Sequence, residues 1–423
     1  MSEIKKKIKK FFKFLGPGFI TGASDNDPSG IATYSQSGSQ FGYHQLWAAL
    51  YSFPFMVVVQ EICGRIGLVT GKGLSGVIRN HYSKKILYAA IAILLFANTV
   101  NIGADLGAMA SSLKLIIGLP FAVLLLGTTA LILILEIFIT YKTYVKFLKY
   151  LALTLLAYVI TAFAVKQNWG EVFISTIKPT IVWSKSYLLN IVAFLGTTIS
   201  PYLFFWQSNE EVEEEIVEHK LKEMDVGKPR ITERDVKKMK TDTVFGMFFS
   251  NFITFFIILT AAATLGRLGI MNVDTAGKAA EALRPIAGNF AYILFAIGII
   301  GAGLLVVPVL AASASYACSE AFQWKEGLYK KLSQAHGFYG VITIATVVGL
   351  IINFLPIPPF KILYYAAALN GVLAPPLLIL IMLISNNKKI MGERVNSRFS
   401  NILGWLITVI MAAAAIALIW SLV

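Results

Sequence analysis

The chain has 423 residues, 57% of them hydrophobic and only 14% charged, with a mean hydropathy of +0.70. A soluble domain carries about a quarter charged residues, so composition alone excludes one. The net charge of +14 would suit a nucleic-acid partner, but its distribution along the chain excludes that reading as well.

The amino terminus, MSEIKKKIKKFF, is basic and is followed by no small-residue cleavage site, so it reads as a cytoplasmic anchor. Eleven apolar spans follow, near 13–38, 45–70, 86–113, 118–140, 144–165, 186–208, 243–265, 286–318, 337–355, 360–384 and 400–422. Most are long enough to cross about 30 Å of hydrocarbon as helix. The links are mostly short, so residues 1–423 form a single transmembrane domain. With the amino terminus inside, 28 lysines and arginines fall on the inner side and 8 on the outer. That bias supports both the count and the orientation, and it explains the charge without nucleic acid. The eleventh span then leaves the carboxyl terminus outside. Cys63 and Cys318 sit in or beside separate apolar segments, with neither disulfide nor metal spacing. The longest loop opens with NEEVEEEIVEHKLKEMDV (209–226) and reads as a helical extension of the sixth span, turning a solvated face to the cytoplasm.

Two spans carry helix breakers. In SDNDPSGIAT (24–33), Pro28 removes a backbone donor, Gly30 weakens the helix, and Asp25, Asn26 and Ser29 compete for backbone hydrogen bonds. In AFLGTTISPYLFFW (193–206), Gly196, Thr197, Thr198, Ser200 and Pro201 cluster mid-span. Interrupted backbone at membrane depth survives only inside protein or beside a wet cavity. Each break opens a block of five spans, which predicts inverted repeats over about 13–165 and 186–384, with 400–422 extra. The breaks would meet near the midplane, where freed carbonyls and a carboxylate make an all-oxygen cation site. A carboxylate there costs at least about 2.5–3.5 kcal/mol, so its presence points to function.

The stretch GPGFITGASDNDPSGIATYSQSGSQFGY (16–43) resembles the first helix of the NRAMP divalent-metal transporters. Their hallmark there is Asp-Pro-Gly-Asn, preceded by Gly-Pro-Gly and followed by an Ala-Thr…Gln-x-Gly…Gln-Phe-Gly-Tyr run. RIGLVTGKGL (65–74), LKLIIGLP (113–120) and KKIMGE (388–393) extend the likeness over nearly the whole chain. The resemblance implies a leucine-transporter-like, all-α membrane fold and divalent cation transport, with no enzyme activity and no cofactor.

Residue by residue, the family aspartate is Asp27, but its ligating asparagine is Gly30. The family's Ala-x-x-Met-Pro-His in the sixth helix is Thr197-Thr198-Ile199-Ser200-Pro201-Tyr202, so the metal-binding methionine is Ser200 and the histidine is Tyr202. A second family histidine falls at Gln207. Loss of the soft sulfur removes discrimination against hard ions. Smaller residues at 30 and 200 predict a roomier, wetter site, suited to Mg²⁺, which keeps several waters. The chain is thus most like the NRAMP-related magnesium branch, in which Mn²⁺ is also carried. Asp27, Gly30, Thr197, Ser200, Tyr202 and Asn370 form the expected ion site. Asp25, lining the approach or capping the half-helix, ranks after Asp27.

Proton coupling in the family uses intramembrane titratable groups. Here His44, His81, His219 and His336 fall outside the spans, and the third helix keeps one carboxylate, Asp105, where the family pairs two. Asp105 and Gln207 are read as cavity or coupling residues in a weakened relay. The reading is therefore a plasma-membrane carrier of Mg²⁺ and Mn²⁺ embedded in lipid, without proton coupling. Two alternatives stand beside it: a proton-coupled Mn²⁺/Fe²⁺ symporter, and a Na⁺-coupled amino-acid carrier of the same architecture.

Overall fold

In the computed structural model, residues 16–138 and 153–422 are described. The basic terminal segment and the first part of the predicted fifth span, 144–152, lie outside them. Apolar helices satisfy every backbone donor within one segment, the condition the bilayer imposes. All regular elements among the described residues are helical, apart from one isolated bridge between Glu223 and Val226.

The first span is two helices, α1 (Pro17–Asp25) and α2 (Pro28–Phe41). A short 3₁₀ turn leads into α3 (Leu46–Thr70), followed by α4 (Leu74–His81), α5 (Lys84–Lys114) and α6 (Phe121–Phe138). Next come α7 (Leu156–Ala164) and α8 (Trp169–Ile177). The sixth span is again two helices, α9 (Lys185–Thr198) and α10 (Pro201–Val217). Then follow α11 (Glu233–Ala261), α12 (Ala291–Phe322), α13 (His336–Ile351), α14 (Pro359–Ser385) and α15 (Arg398–Leu422). Among the described residues, nine helical stretches are long and apolar enough to cross a membrane; the stretch Pro28–Thr70 runs through the 3₁₀ turn and counts once.

The starts of these helices follow local chemistry. Ser83 and Ser184 accept from backbone amides at the heads of α5 and α9, and Thr232 with Asp235 closes a capping box at α11. α11 ends in a π turn over Ala262–Gly266. Two large buried apolar clusters fill the bundle.

One expectation fails in an informative way. α10 does extend the sixth span through Val217, but its acidic end is not a solvated face. Glu210, Glu211, Glu213 and Glu215 are all buried. Their helix is sandwiched by neighbours: Tyr316 donates from α12 to Glu213, and the Leu328 amide donates to the same carboxylate at 2.5 Å. On the second span, by contrast, Glu61 and Arg65 pair at i,i+4, with Arg65 Nε 2.9 Å from Glu61 Oε1.

Candidate cation site at the two helix breaks

The breaks fall where the sequence places them. α1 ends at Asp25; Asn26 leaves helical geometry (φ −85°, ψ 55°) and Asp27 is extended (φ −70°, ψ 170°). α9 ends at Thr198, Ile199 turns out (φ −128°, ψ 63°), and Ser200 is extended (φ −83°, ψ 138°) before Pro201 restarts the helix. In each span Pro occupies the first helical position after the break, where a missing donor costs nothing. Each break turns the carbonyl end of one half-helix toward the amide end of the next. Carbonyl ends favour cations and amide ends favour anions.

Asp27 resolves the second of these demands. Its carboxylate N-caps α2, accepting from the Gly30 amide at 2.5 Å. The Ser29 hydroxyl lies 2.8 Å from both of its oxygens, and the Thr197 hydroxyl donates across the breaks at 3.5 Å. Asp27 is 2% exposed. The two broken helices therefore meet at one carboxylate.

Asp25 and Asp105 are fully buried and close enough to Asp27 to interact with its charge. Asp25 Oδ2 accepts from Ser250 of α11, whereas its Oδ1 has no hydrogen-bond partner. Neither oxygen of Asp105 has one. None of the three carboxylates pairs with a lysine or arginine among the described residues. Buried charge of one sign without a counter-charge requires a cation or protons. Among the described residues no three His, Cys, Asp or Glu side chains are grouped closely enough to hold a metal alone, so carbonyls, hydroxyls and water must complete any coordination.

The remaining expected residues take distinct places. Ser200 Oγ donates back to the carbonyls of Gly196 (2.6 Å) and Thr197 (2.9 Å), so its hydrogen is committed while its lone pairs are not. Tyr202 Oη donates to the Ser24 carbonyl at 3.0 Å, bracing α10 against α1. Gln207 Oε1 accepts from Thr21 at 2.5 Å and its Nε2 donates to Glu211 at 2.9 Å, below the breaks. Asn370 pairs amide to amide with Asn101 of α5, at 2.9 and 3.3 Å. It nevertheless lies beside the second break, because a Cβ at Gly196 would sit 2.1 Å from the Ala367 carbonyl and 2.3 Å from the Gly371 amide. Gly30 does not open the space expected of it. A Cβ there would meet Asp27 Oδ1, Thr197 Oγ1 and Tyr34 Cε2, each at 3.1 Å; the fully buried Tyr34 ring fills that side.

Sequence reasoning read Ser29 only as a helix breaker, not as a partner of Asp27, and did not single out Asn101. An aspartate followed by proline at N1 is an N-cap signal that would have tied Ser29 and the Gly30 amide to Asp27. An asparagine in a largely apolar third span, such as Asn98 or Asn101, calls for an interhelical partner.

A buried carboxylate at two facing helix breaks, within a bundle of membrane-length helices, defines a membrane transporter rather than an enzyme. Comparison with known proteins is specific: the family model for natural resistance-associated macrophage protein-like proteins matches residues 18–421, and the chain belongs to that family. The divalent metal cation transporter MntH of Clostridium acetobutylicum is 26% identical over 99% of this chain and 93% of its own length. MntH of Agrobacterium fabrum is 26% identical over 97% and 88%. Among solved structures, the Eremococcus coleocola manganese transporter superposes with a TM-score of 0.73 at 17% identity, covering 96% of this chain and 86% of that one. Mhp1, a nucleobase-cation-symport-1 family transporter, superposes with a TM-score of 0.62 at 12% identity, covering 96% and 93%. At such identities the superpositions carry the fold alone.

Proposed function

We propose that this chain carries hard divalent cations, chiefly Mg²⁺ and also Mn²⁺, across the plasma membrane by alternating access, without an obligatory proton. The observation that carries the reading is the donor set at the two breaks: the buried Asp27 carboxylate with the Ser29 and Thr197 hydroxyls on it, Ser200 at the second break, and neither sulfur nor imidazole among residues 24–30 and 196–202. Hard oxygen donors suit Mg²⁺, which binds through one or two carboxylates and retained water. The MntH relatives support divalent metal as the cargo. An anionic substrate group fits poorly beside three uncompensated carboxylates, which disfavours an amino-acid carrier. The two breaks, one in each block of five spans, support inverted repeats about a central site, with the amino terminus inside.

Asp27→Ala, reconstituted in proteoliposomes, is expected to abolish Mg²⁺ and Mn²⁺ uptake while the purified protein stays folded and monodisperse. Retained flux of either ion would remove Asp27 from the site. The proton-coupled Mn²⁺ reading has one observation in its favour: Asp105, buried, without a hydrogen-bond partner and near Asp27, is a group that could carry a proton.

A further inference from the structure

The buried acidic end of α10 is unexplained by a site at the breaks. Ser200, Gln207, Glu211 and Glu215 recur at intervals of seven, four and four, which places them along one face of the helix. The stripe runs from the second break to a small cavity of about 20 Å³ between α10, α11 and the foot of α1. That volume holds about one water or one ion.

Charges around this cavity do not balance. Lys220 pairs with Glu218 at 2.5 Å and Asp235 at 2.7 Å, and Lys238 pairs with Glu218 at 2.7 Å and Glu214 at 3.3 Å. Asp242 accepts from the amides of Gly16, Gly18 and Phe19. Glu211 holds one donor, the Gln207 amide. Glu215 is 2% exposed, lines the cavity, and neither of its oxygens has a hydrogen-bond partner. A buried carboxylate without a donor is costly, and two buried carboxylates four residues apart repel.

We propose that Glu211 and Glu215 form a second divalent-cation site, an inner station through which the transported ion passes between Asp27 and the cytoplasm. The identity of the ion rests on the reading of Asp27 as the cargo site. Two carboxylates with water in the remaining positions match what Mg²⁺ or Mn²⁺ requires. Fifteen residues of helix separate Ser200 from Glu215, about 22 Å at 1.5 Å per residue, so the two sites are distinct. Gln207 links them, since it touches Glu211 on one side and Thr21 of α1 on the other.

The test counts Mn²⁺ bound to the full chain in detergent by equilibrium dialysis. Expected stoichiometries are two per chain for the unmodified protein, one for Asp27→Ala, one for Glu211→Gln/Glu215→Gln, and none for the combination. If Glu211→Gln/Glu215→Gln leaves the counts of the parent and of Asp27→Ala unchanged, the inner site does not exist and protons occupy these carboxylates. Failure of the Asp27 reading looks different: Asp27→Ala would keep two ions. Should the paired variant aggregate, Glu215→Gln alone in the Asp27→Ala background is expected to weaken Mn²⁺ binding at least tenfold, and an unchanged affinity overturns the proposal.

Discussion

Tyr202 Oη donates to the backbone carbonyl of Ser24 across 3.0 Å, joining the first turn of α10 to the last turn of α1. The hydroxyl is thereby a brace between the two broken helices. Tyr202→Phe removes one buried hydrogen bond, a loss of about 1 kcal/mol. The expected outcome is a small drop in thermal stability with Mn²⁺ affinity unchanged within about twofold. A tenfold loss of affinity would make the hydroxyl a ligand instead.

Packing at Gly30 yields a second prediction. Three atoms lie 3.1 Å from its missing Cβ, one of them on the Tyr34 ring. Restoring the family's asparagine therefore requires room. Gly30→Asn alone is expected to cost about 1–3 kcal/mol through overpacking, visible as a lower unfolding temperature. Gly30→Asn with Tyr34→Val should recover much of it. With Ser200→Met added, competition assays should show weaker Mg²⁺ inhibition of Mn²⁺ uptake. Equal destabilisation with and without Tyr34→Val would show that the crowding comes from elsewhere.

These two residues show what the sequence could and could not convey. Both breaks were legible because Pro28 and Pro201 act locally: each ends one helix and starts the next regardless of what surrounds it. Asp27 was legible for the same reason, as a charge in an apolar run. Tyr34, Asn101 and Glu215 were not, because their roles depend on which helix lies opposite. Tyr34 reads as an ordinary aromatic until its ring is seen against Gly30. The glutamates of α10 read as a wet surface until α11 and α12 are seen to cover them. Composition reports how polar a segment is, whereas burial is decided by the neighbours.

Asp242 ties α11 to the start of α1, accepting from Gly18 at 2.7 Å, Gly16 at 3.0 Å and Phe19 at 3.3 Å. A carboxylate at a helix amide end is worth roughly 0.5–2 kcal/mol as a cap. Breaking it frees the foot of α1, which the proposed orientation places at the cytoplasmic side. Asp242→Ala is expected to raise the rate of thiol labelling at a cysteine introduced at Thr21, read as a several-fold increase over the parent. An unchanged labelling rate would show that α1 is held by packing alone.

The loop between α10 and α11 supplies a pH dependence. Burial disfavours the charged form of Asp225, but hydrogen bonds from Lys72 and Arg79, and their charges, hold its carboxyl below the ordinary carboxylate range. A depressed folded-state value means the interaction stabilises the protein at neutral pH and is lost as pH falls through that value. Asp225→Asn is therefore expected to lower thermal stability at pH 7 and to flatten its decline toward acid. A parallel shift at all pH values would assign the effect to shape instead.

The last prediction concerns energy coupling. Symport requires a proton site whose occupancy alters metal binding, and such linkage is reciprocal. Asp105 is the group in the described spans best placed for it, with both oxygens unpartnered and Asp27 nearby. On the reading proposed above the onward relay is weakened: by the resemblance Tyr202 and Gln207 stand where the family has histidines, and each is already engaged, with Ser24 and with Thr21 and Glu211. Driving force does not require a proton. Two charges crossing about 100 mV gain about 4.6 kcal/mol, at about 2.3 kcal/mol per charge. A tenfold gradient corresponds to about 1.4 kcal/mol, so the potential alone supports roughly a thousandfold accumulation. Proteoliposomes clamped at a negative interior potential are expected to take up Mg²⁺ or Mn²⁺ without internal acidification. Asp105→Asn should retain potential-driven flux, since it removes a charge but no relay. Metal-dependent acidification in the parent that disappears in Asp105→Asn, at the same potential, would establish Asp105 as a proton carrier and make the chain a symporter.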